Sequence, residues 1–443
     1  MNRLSKLRFD ALAGYSRSPQ LPLYAQELGW YEDGQEKVLG VVSLDLPDRD
    51  FLYTILGRDK HGRFRAVHVE INIPTEAEAH TQLETALAQA ALAPPEAFYQ
   101  HDETGQTLDF FTPVVPQARQ HPIFRQLVTG SHKLPAYGLL AELMHYFQDV
   151  DGNFVEQFQS TGFDARLWEL YLYATFTELG YAFDRSHASP DFHCIGLLAD
   201  FFVEATTVNP SAVGPALDDT NPDAYFSQYV PIKFGSALFS KLNRRYWEQP
   251  HVQGHPLVVA IQDFHAPQSM TWSSAALPEY LYGIRQVEEK QENGTSRVIS
   301  IPVEKYVWQN KEIPAGFFLQ PGTEFVSAVI ANPGGTLTKF SRMGYLAGFG
   351  ARDVRMFRKG YCYRRNVIPE DFVAEVTAPG YVESWTEGLA VYHNPRAAYP
   401  LSEIAIPEAA HHTLRDGRIV GSMPDFFPVG SITAIILPTN DDA

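Results

Sequence analysis

Three acidic residues stand out by type and spacing. Glu169 lies within the apolar run LWELYLYATF, Asp191 directly follows Pro190, and Glu204 closes the run Phe201-Phe202-Val203. Asp191 and Glu204 are 13 positions apart (204 − 191). Paired carboxylate oxygens are what a hard divalent cation such as Mg²⁺ or Mn²⁺ prefers. Such an ion polarises a phosphoryl oxygen and lowers the pKa of an attacking water. Asp191 and Glu204 are therefore the expected metal ligands, with Glu169 reaching the ion through a water. Glu204 fits a purely structural role least well, because a carboxylate after three apolar residues at a strand end is costly unless paired or metal-bound.

Those acids need particular elements to hold them. The stretch 163–181 has the strongest helical periodicity in the chain, with Asp164 expected as N-cap and Gly180 as stop. Strands are predicted at about 191–195 and 200–205, joined by the tight turn Gly-Leu-Leu-Ala. Antiparallel pairing across that turn brings Asp191 and Glu204 together. Side chains on opposite sheet faces, or more than about 10 Å apart, cannot share one ion. A Pro- and Gly-rich loop follows, and then a helix expected over 230–248 that carries Lys233, Lys241, Arg244 and Arg245. The next run, 256–262, is nearly all apolar, as in a strand covered on both faces.

On these residues the stretch 160–265 resembles the PD-(D/E)xK nuclease superfamily. Pro190-Asp191-Phe192 stands for the PD element, Glu204-Ala205-Thr206 for (D/E)xK, and Glu169 for the helix acid. The resemblance implies a restriction-endonuclease-like αβββαβ core, catalysis by Glu169, Asp191, Glu204 and a lysine, and Mg²⁺ or Mn²⁺ held by Asp191 and Glu204. Thr206 replaces the motif lysine. Members of such families can move the basic residue to the neighbouring helix, which makes Lys241 the expected substitute and Lys233 the reserve. The resemblance further implies nucleic acid as partner, DNA ahead of RNA, and a homodimer as the assembly that cuts two strands.

The remaining chain frames this core. Residues 1–95 read as a small α+β module, with strands at 37–44, 51–56 and 64–73 and a helix capped by Thr75. Residues 96–159 form a helical connector, 160–285 the nuclease-like core, and 286–443 a β-rich C-terminal region packed on it. The expected class is α/β in the broad sense, α+β in detail. In the C-terminal region Arg355, Arg358, Arg364 and Arg365 alternate with Phe357, Tyr361 and Tyr363, a mixture suited to phosphate contact and base stacking. Together with Lys233, Arg244 and Arg245 they are the candidate nucleic-acid contacts. The same strip also fits the polar face of a hairpin that balances local acids.

Composition limits the alternatives. A net charge of −17 over 443 residues repels phosphates, so nucleic-acid binding requires a local cationic groove or a bound cation. Two cysteines, Cys194 and Cys362, cannot build a disulfide framework and read as small buried residues. The apolar runs are strand-sized, and the basic N-terminus lacks a signal-peptide core, so a cytoplasmic protein without membrane contact is expected. His251, His255 and His265 offer a rival metal cluster, while His411-His412 reads as a surface pair. The expected activity is a Mg²⁺-dependent phosphodiesterase. The alternative is a catalytically inactive nuclease fold that serves as a nucleic-acid- or protein-binding module.

Overall fold

The N-terminal region shows how the sequence pattern becomes structure. In the computed structural model, which describes residues 1–130, 134–211, 221–291, 296–365 and 368–437, five antiparallel strands pair in chain order. They are β1 (Asn2–Leu4), β2 (Ala25–Glu32), β3 (Val38–Asp45), β4 (Phe51–Arg58) and β5 (Phe64–Ile73). The helix Glu76–Ala91 begins where the Thr75 hydroxyl accepts the Glu78 N–H, and lays Ala79, Leu83 and Leu87 on Val38, Val42 and Ile55. It comes closest at Gly40, where a Cβ would stand 2.7 Å from a Leu83 methyl carbon. β1 and β2 escape the sequence reading because AQELGWYE interrupts its apolar positions with Glu27 and Gly29. Glu27 is tied instead to Arg17 and to the Trp30 indole N–H.

An eight-stranded mixed sheet carries the candidate site. Its strands are β6 (Ala182–Asp184), β7 (Phe192–Ile195), β8 (Asp200–Val208) and β9 (Leu257–Asp263), with others from much later in the chain. Two hairpins, β10 (Ile284–Lys290) with β11 (Ser296–Pro302) and β12 (Lys305–Trp308) with β13 (Lys311–Pro314), stand apart from it. β14 (Ala328–Ala331) then returns to the sheet, and β15 (Arg355–Tyr363) and β16 (Glu370–Glu375) leave it. β17 (Ala390–His393), β18 (Ala410–Arg415) and β19 (Arg418–Ser422) complete it, and β20 (Phe427–Ile436) pairs with β15. The strand order is β19-β18-β17-β14-β9-β8-β7-β6. β6, β7 and β8 run antiparallel, whereas β8, β9 and β14 are parallel. Helix at 31% and strand at 30% place the molecule in the α+β class.

Each face of this sheet has its own core. One face packs Val203, Ala205, Val258 and Ala260 against the helix Phe163–Glu178. The other packs Val208, Val259 and Ile261 against Phe234 and Leu238 of the helix Val230–Leu242. β9 is buried over its whole length, as the apolar run 257–261 requires, with Gln262 and Asp263 buried at its end. The sheet runs across residue 285, since four of its strands come from the C-terminal region.

Several element boundaries differ from expectation. Gly162, not Asp164, precedes the first helical residue, and Asp164 sits in the first turn, where its charge favours the N-terminal end of the helix dipole. The Lys241 helix stops at Leu242 because Arg245 adopts φ +52°, leaving Arg244 and Arg245 beyond the helix. Only residues 328–331 of the run 324–331 form a strand. The expected loop over 209–225 lies partly outside the described residues.

Candidate metal and phosphodiester site

The site begins at the β7–β8 hairpin. Gly196 N–H donates to Ala199 O at 3.0 Å and closes the expected four-residue turn. Phe192 pairs with Val203 and Ile195 with Asp200, so Asp191 stands opposite Glu204 on the same side of the ladder. Each acid then binds the other strand. The Asp191 Oδ2 accepts the Ala205 N–H at 2.7 Å, and the Asp191 N–H donates to Glu204 Oε2 at 3.3 Å.

Glu204 faces the Lys241 layer. Its neighbour two residues back, Phe202, packs with Tyr246, whereas Val203 and Ala205 face the opposite core. Only 4% exposed, Glu204 accepts from Lys241 Nζ at 2.5 Å and from the Tyr246 hydroxyl at 2.6 Å, both at Oε1. Lys241 comes from the last turn of its helix. Tyr246 reaches Glu204 because the left-handed residue Arg245 turns the chain back. Burial, with the Glu204 charge beside it, pushes the Tyr246 hydroxyl far above the usual phenol range. Thr206, in the motif lysine position, is half-buried and uncharged; the ammonium that meets Glu204 is supplied by Lys241.

Glu169 comes from the other layer. Both its oxygens lie 2.9 Å from Arg166 Nη1, and Arg166 is itself held by Gln157 and Asn153. Glu169 thus does not join Asp191 and Glu204 in a three-carboxylate contact, but it acts on them through its field. Burial raises the Asp191 carboxyl well above its ordinary value, and the charges of Glu204 and Glu169 add to the effect against Lys241 and the Ala205 N–H. Burial raises Glu169 too, opposed by Arg166. Next to Asp191 is a pocket of about 10 Å³, room for roughly one water, lined by Glu169, Arg166, Arg185 and Asp191 among others. Arg185 Nη1 donates to the Asp191 carbonyl, and Nη2 to Gln148 O at 2.9 Å.

Among the described residues, no group of three or more His, Cys, Asp or Glu side chains is arranged to hold a metal ion. What is present is a two-carboxylate arrangement with Asp191 Oδ1 outside any hydrogen bond of the described residues, beside an ion-sized space. Mg²⁺ is commonly bound through one or two carboxylates, with waters and substrate phosphate completing its shell, and the donor set fits that pattern.

The other candidate contacts lie elsewhere. Lys233 Nζ donates to Asn209 O at 2.6 Å and to Ser211 Oγ at 2.9 Å, so the reserve lysine does not enter the site. Arg244 is exposed, and Arg245 pairs with Glu248. The strip on β15 differs from the expected phosphate-binding surface. Arg358 is buried and bound by Glu387, Ser431 and Tyr381, out of reach of any external phosphate. Arg355, Arg364 and Arg365 are paired with Glu375, Glu370 and Asp425. These three pairs are on the surface, and only Arg358 is removed from it.

The histidines are also corrected. His251 stacks on His187 at 3.7 Å, His255 meets Asp200 at 3.2 Å, and His265 sits past the far end of β9 against Asp263 and Tyr225. These three therefore share no ion. His411 is buried, not on the surface, and its Nδ1 lies 2.9 Å from His393 Nε2. Tyr246, Arg166 and Arg185 were missed by sequence reasoning. Arg166 alone carried a signal, three residues before Glu169 on one helix.

Comparison of the chain with known protein families, with curated proteins and with solved structures returned no match.

Proposed function

We propose that this protein is a divalent-cation-dependent phosphodiesterase acting on nucleic acid, built on a restriction-endonuclease-like core. The observation that carries the reading is the reciprocal clasp of Asp191 and Glu204 across β7 and β8, with Lys241 on Glu204. The order over 163–263 supports it: a helix, three antiparallel strands, a helix, and a strand parallel to the third. Asp191 Oδ1 and Glu204 would hold Mg²⁺ or Mn²⁺, which when bound polarises the phosphoryl group and acidifies a water. Lys241 and Tyr246 fix the Glu204 carboxylate and offset its charge. Arg166 favours the charged form of Glu169 against its burial, close to the pocket, where it would orient water.

To test this, plasmid DNA, single-stranded DNA and RNA are incubated with the protein in Mg²⁺ or Mn²⁺. Asp191→Ala and Glu204→Ala are each expected to lower cleavage at least about 100-fold, in line with loss of a key electrostatic group. Undiminished cleavage in both variants would remove the proposal. A second reading, a binding module without catalysis, is favoured by one observation: Glu204 and Glu169 already have cationic partners in Lys241 and Arg166. It requires nucleic-acid binding with no heat of Mg²⁺ binding in calorimetry.

A further inference from the structure

A second cavity, of about 540 Å³, opens between the N-terminal sheet and the Glu169 helix. That volume lies within the range of small-molecule sites. One wall is a column of aromatic rings: Tyr15 stacks on Tyr146 at 5.0 Å and on Tyr173 at 5.4 Å, the latter pair within 3° of parallel. Tyr146 is fully used, donating to Leu12 O and accepting from the Phe64 N–H. Tyr173 is not. It is 8% exposed, lines the cavity, and its hydroxyl has no hydrogen-bond partner among the described residues. The hydroxyl meets the open cavity, where it is free to bond a ligand atom.

The charges of the cavity point to the kind of ligand. Arg63 is paired with Asp59, Arg65 with Asp102, and Lys60 with Glu103, so the acids at the rim are answered. Arg185 differs. It lines both this cavity and the pocket beside Asp191, and its guanidinium is fixed between the Phe147 and Phe192 rings, 5.3 Å from each. It donates only to backbone carbonyls, and its buried Nε has no partner. A cation with no ion pair among the described residues and only the more distant field of Glu169 upon it, at the junction of an aromatic-walled cavity and an acid pair, suits an aromatic ligand with an anionic end.

We infer that this cavity binds a nucleotide, with the base against the tyrosine wall and Tyr173 hydroxyl and the phosphate on Arg185. The inference deepens the phosphodiesterase reading and rests on it only for which bond is presented to Asp191. A free mononucleotide and the terminal nucleotide of a strand share this chemistry.

Calorimetry on the full chain in EDTA tests binding without any metal. Deoxyadenosine monophosphate is expected to bind saturably, and more tightly than adenosine or inorganic phosphate alone. Tyr173→Phe, which removes one oxygen, is expected to weaken it about 5- to 10-fold. Arg185→Gln is expected to weaken it at least about tenfold, with its fold checked by circular dichroism because the guanidinium also ties two backbone carbonyls. A 5′-phosphorylated decanucleotide that binds more tightly than the mononucleotide identifies a strand end as ligand; equal or weaker binding identifies the free nucleotide. Absence of saturable binding by both probes, or Tyr173→Phe binding like wild type, overturns the inference. Cleavage by a protein that binds no mononucleotide overturns this site alone, whereas binding without cleavage on any substrate overturns the phosphodiesterase reading alone.

Discussion

The molecule buries charge in two places and treats it in opposite ways. In the C-terminal region Glu383 receives Lys339 at 2.7 Å, Arg342 at 2.8 Å and Arg358 at 3.6 Å, while Glu387 takes the other contact of Arg358. Two carboxylates meet three cations. Burial alone would raise the Glu383 carboxyl, but Arg342, Lys339 and Arg358 together hold it well below its ordinary range. Around β7 and β8 the pairing is thinner: among the described residues Glu204 and Glu169 have ion pairs with Lys241 and Arg166, Arg185 acts on Glu169 from farther off, and the Asp191 carboxyl, with no ion pair, is driven upward. The first arrangement is complete as it stands and holds β15 to the segment containing Glu383. The second leaves one carboxyl, Asp191, without an ion pair and strongly perturbed beside a small pocket, a pattern that functional sites share.

The largest expected effect breaks the balanced cluster. Glu383→Ala leaves three buried cations short of a partner and should cost roughly 3–5 kcal/mol, measured as the loss in urea-unfolding free energy. Divalent cation sharpens the other half of the comparison. At a concentration 100 times Kd it should stabilise the wild type by about 2.7 kcal/mol in thermal melts, with no such gain in Asp191→Asn or in an otherwise intact protein given K⁺.

Acidification should move the two clusters in opposite directions. For Glu383, whose folded pKa is depressed, stability is fully present above the unfolded carboxylate value and is lost as pH falls through the folded one. For Asp191, whose folded pKa is raised, the penalty is full above the folded value and disappears as pH falls toward the unfolded one. Asp191→Asn therefore flattens that part of the curve. A further acid-sensitive element is superimposed. Burial, with neighbouring imidazoles, pushes His393 and His412 down to about 4, so their stability contribution is complete above roughly pH 6.5 and fades between there and about pH 4. His393→Asn should reduce the fall in melting temperature over that window. The smallest effect is expected from Tyr246→Phe, which removes one hydrogen bond to Glu204 and should cost about 1 kcal/mol in chemical denaturation while cleavage falls severalfold.

The acid pair was legible in the sequence because a four-residue turn between two short strands leaves little choice of register. Helical periodicity likewise exposed the helices of Glu169 and Lys241. Tyr246 was hidden by a turn that depends on a left-handed arginine, a conformation that no residue type announces. Arg185 lies outside any motif and matters only through the two rings and two carbonyls around it. The burial of Arg358 within the strip from Arg355 to Arg365 was hidden for a related reason. A linear reading sees the cations on β15 but not Glu383 and Glu387, which the fold brings beneath them, or Glu370, Glu375 and Asp425 at its margins. The pair His411-His412 was misplaced because β18 lies inside the sheet, between β17 and β19, which adjacent polar residues do not suggest.

The position of β9 has a consequence for synthesis and for fragment work. A nascent chain that has emerged only to residue 285 can lay β9 against β8, but the partner for its other edge is encoded at 328–331 and is itself flanked by residues 390–393. Until those arrive, Leu-Val-Val-Ala-Ile presents open backbone donors and acceptors with no charge to deter a second copy. A recombinant piece ending at 285 should therefore precipitate during expression, whereas one that retains the chain through Ile436, and with it the partner of β15, should remain dispersed.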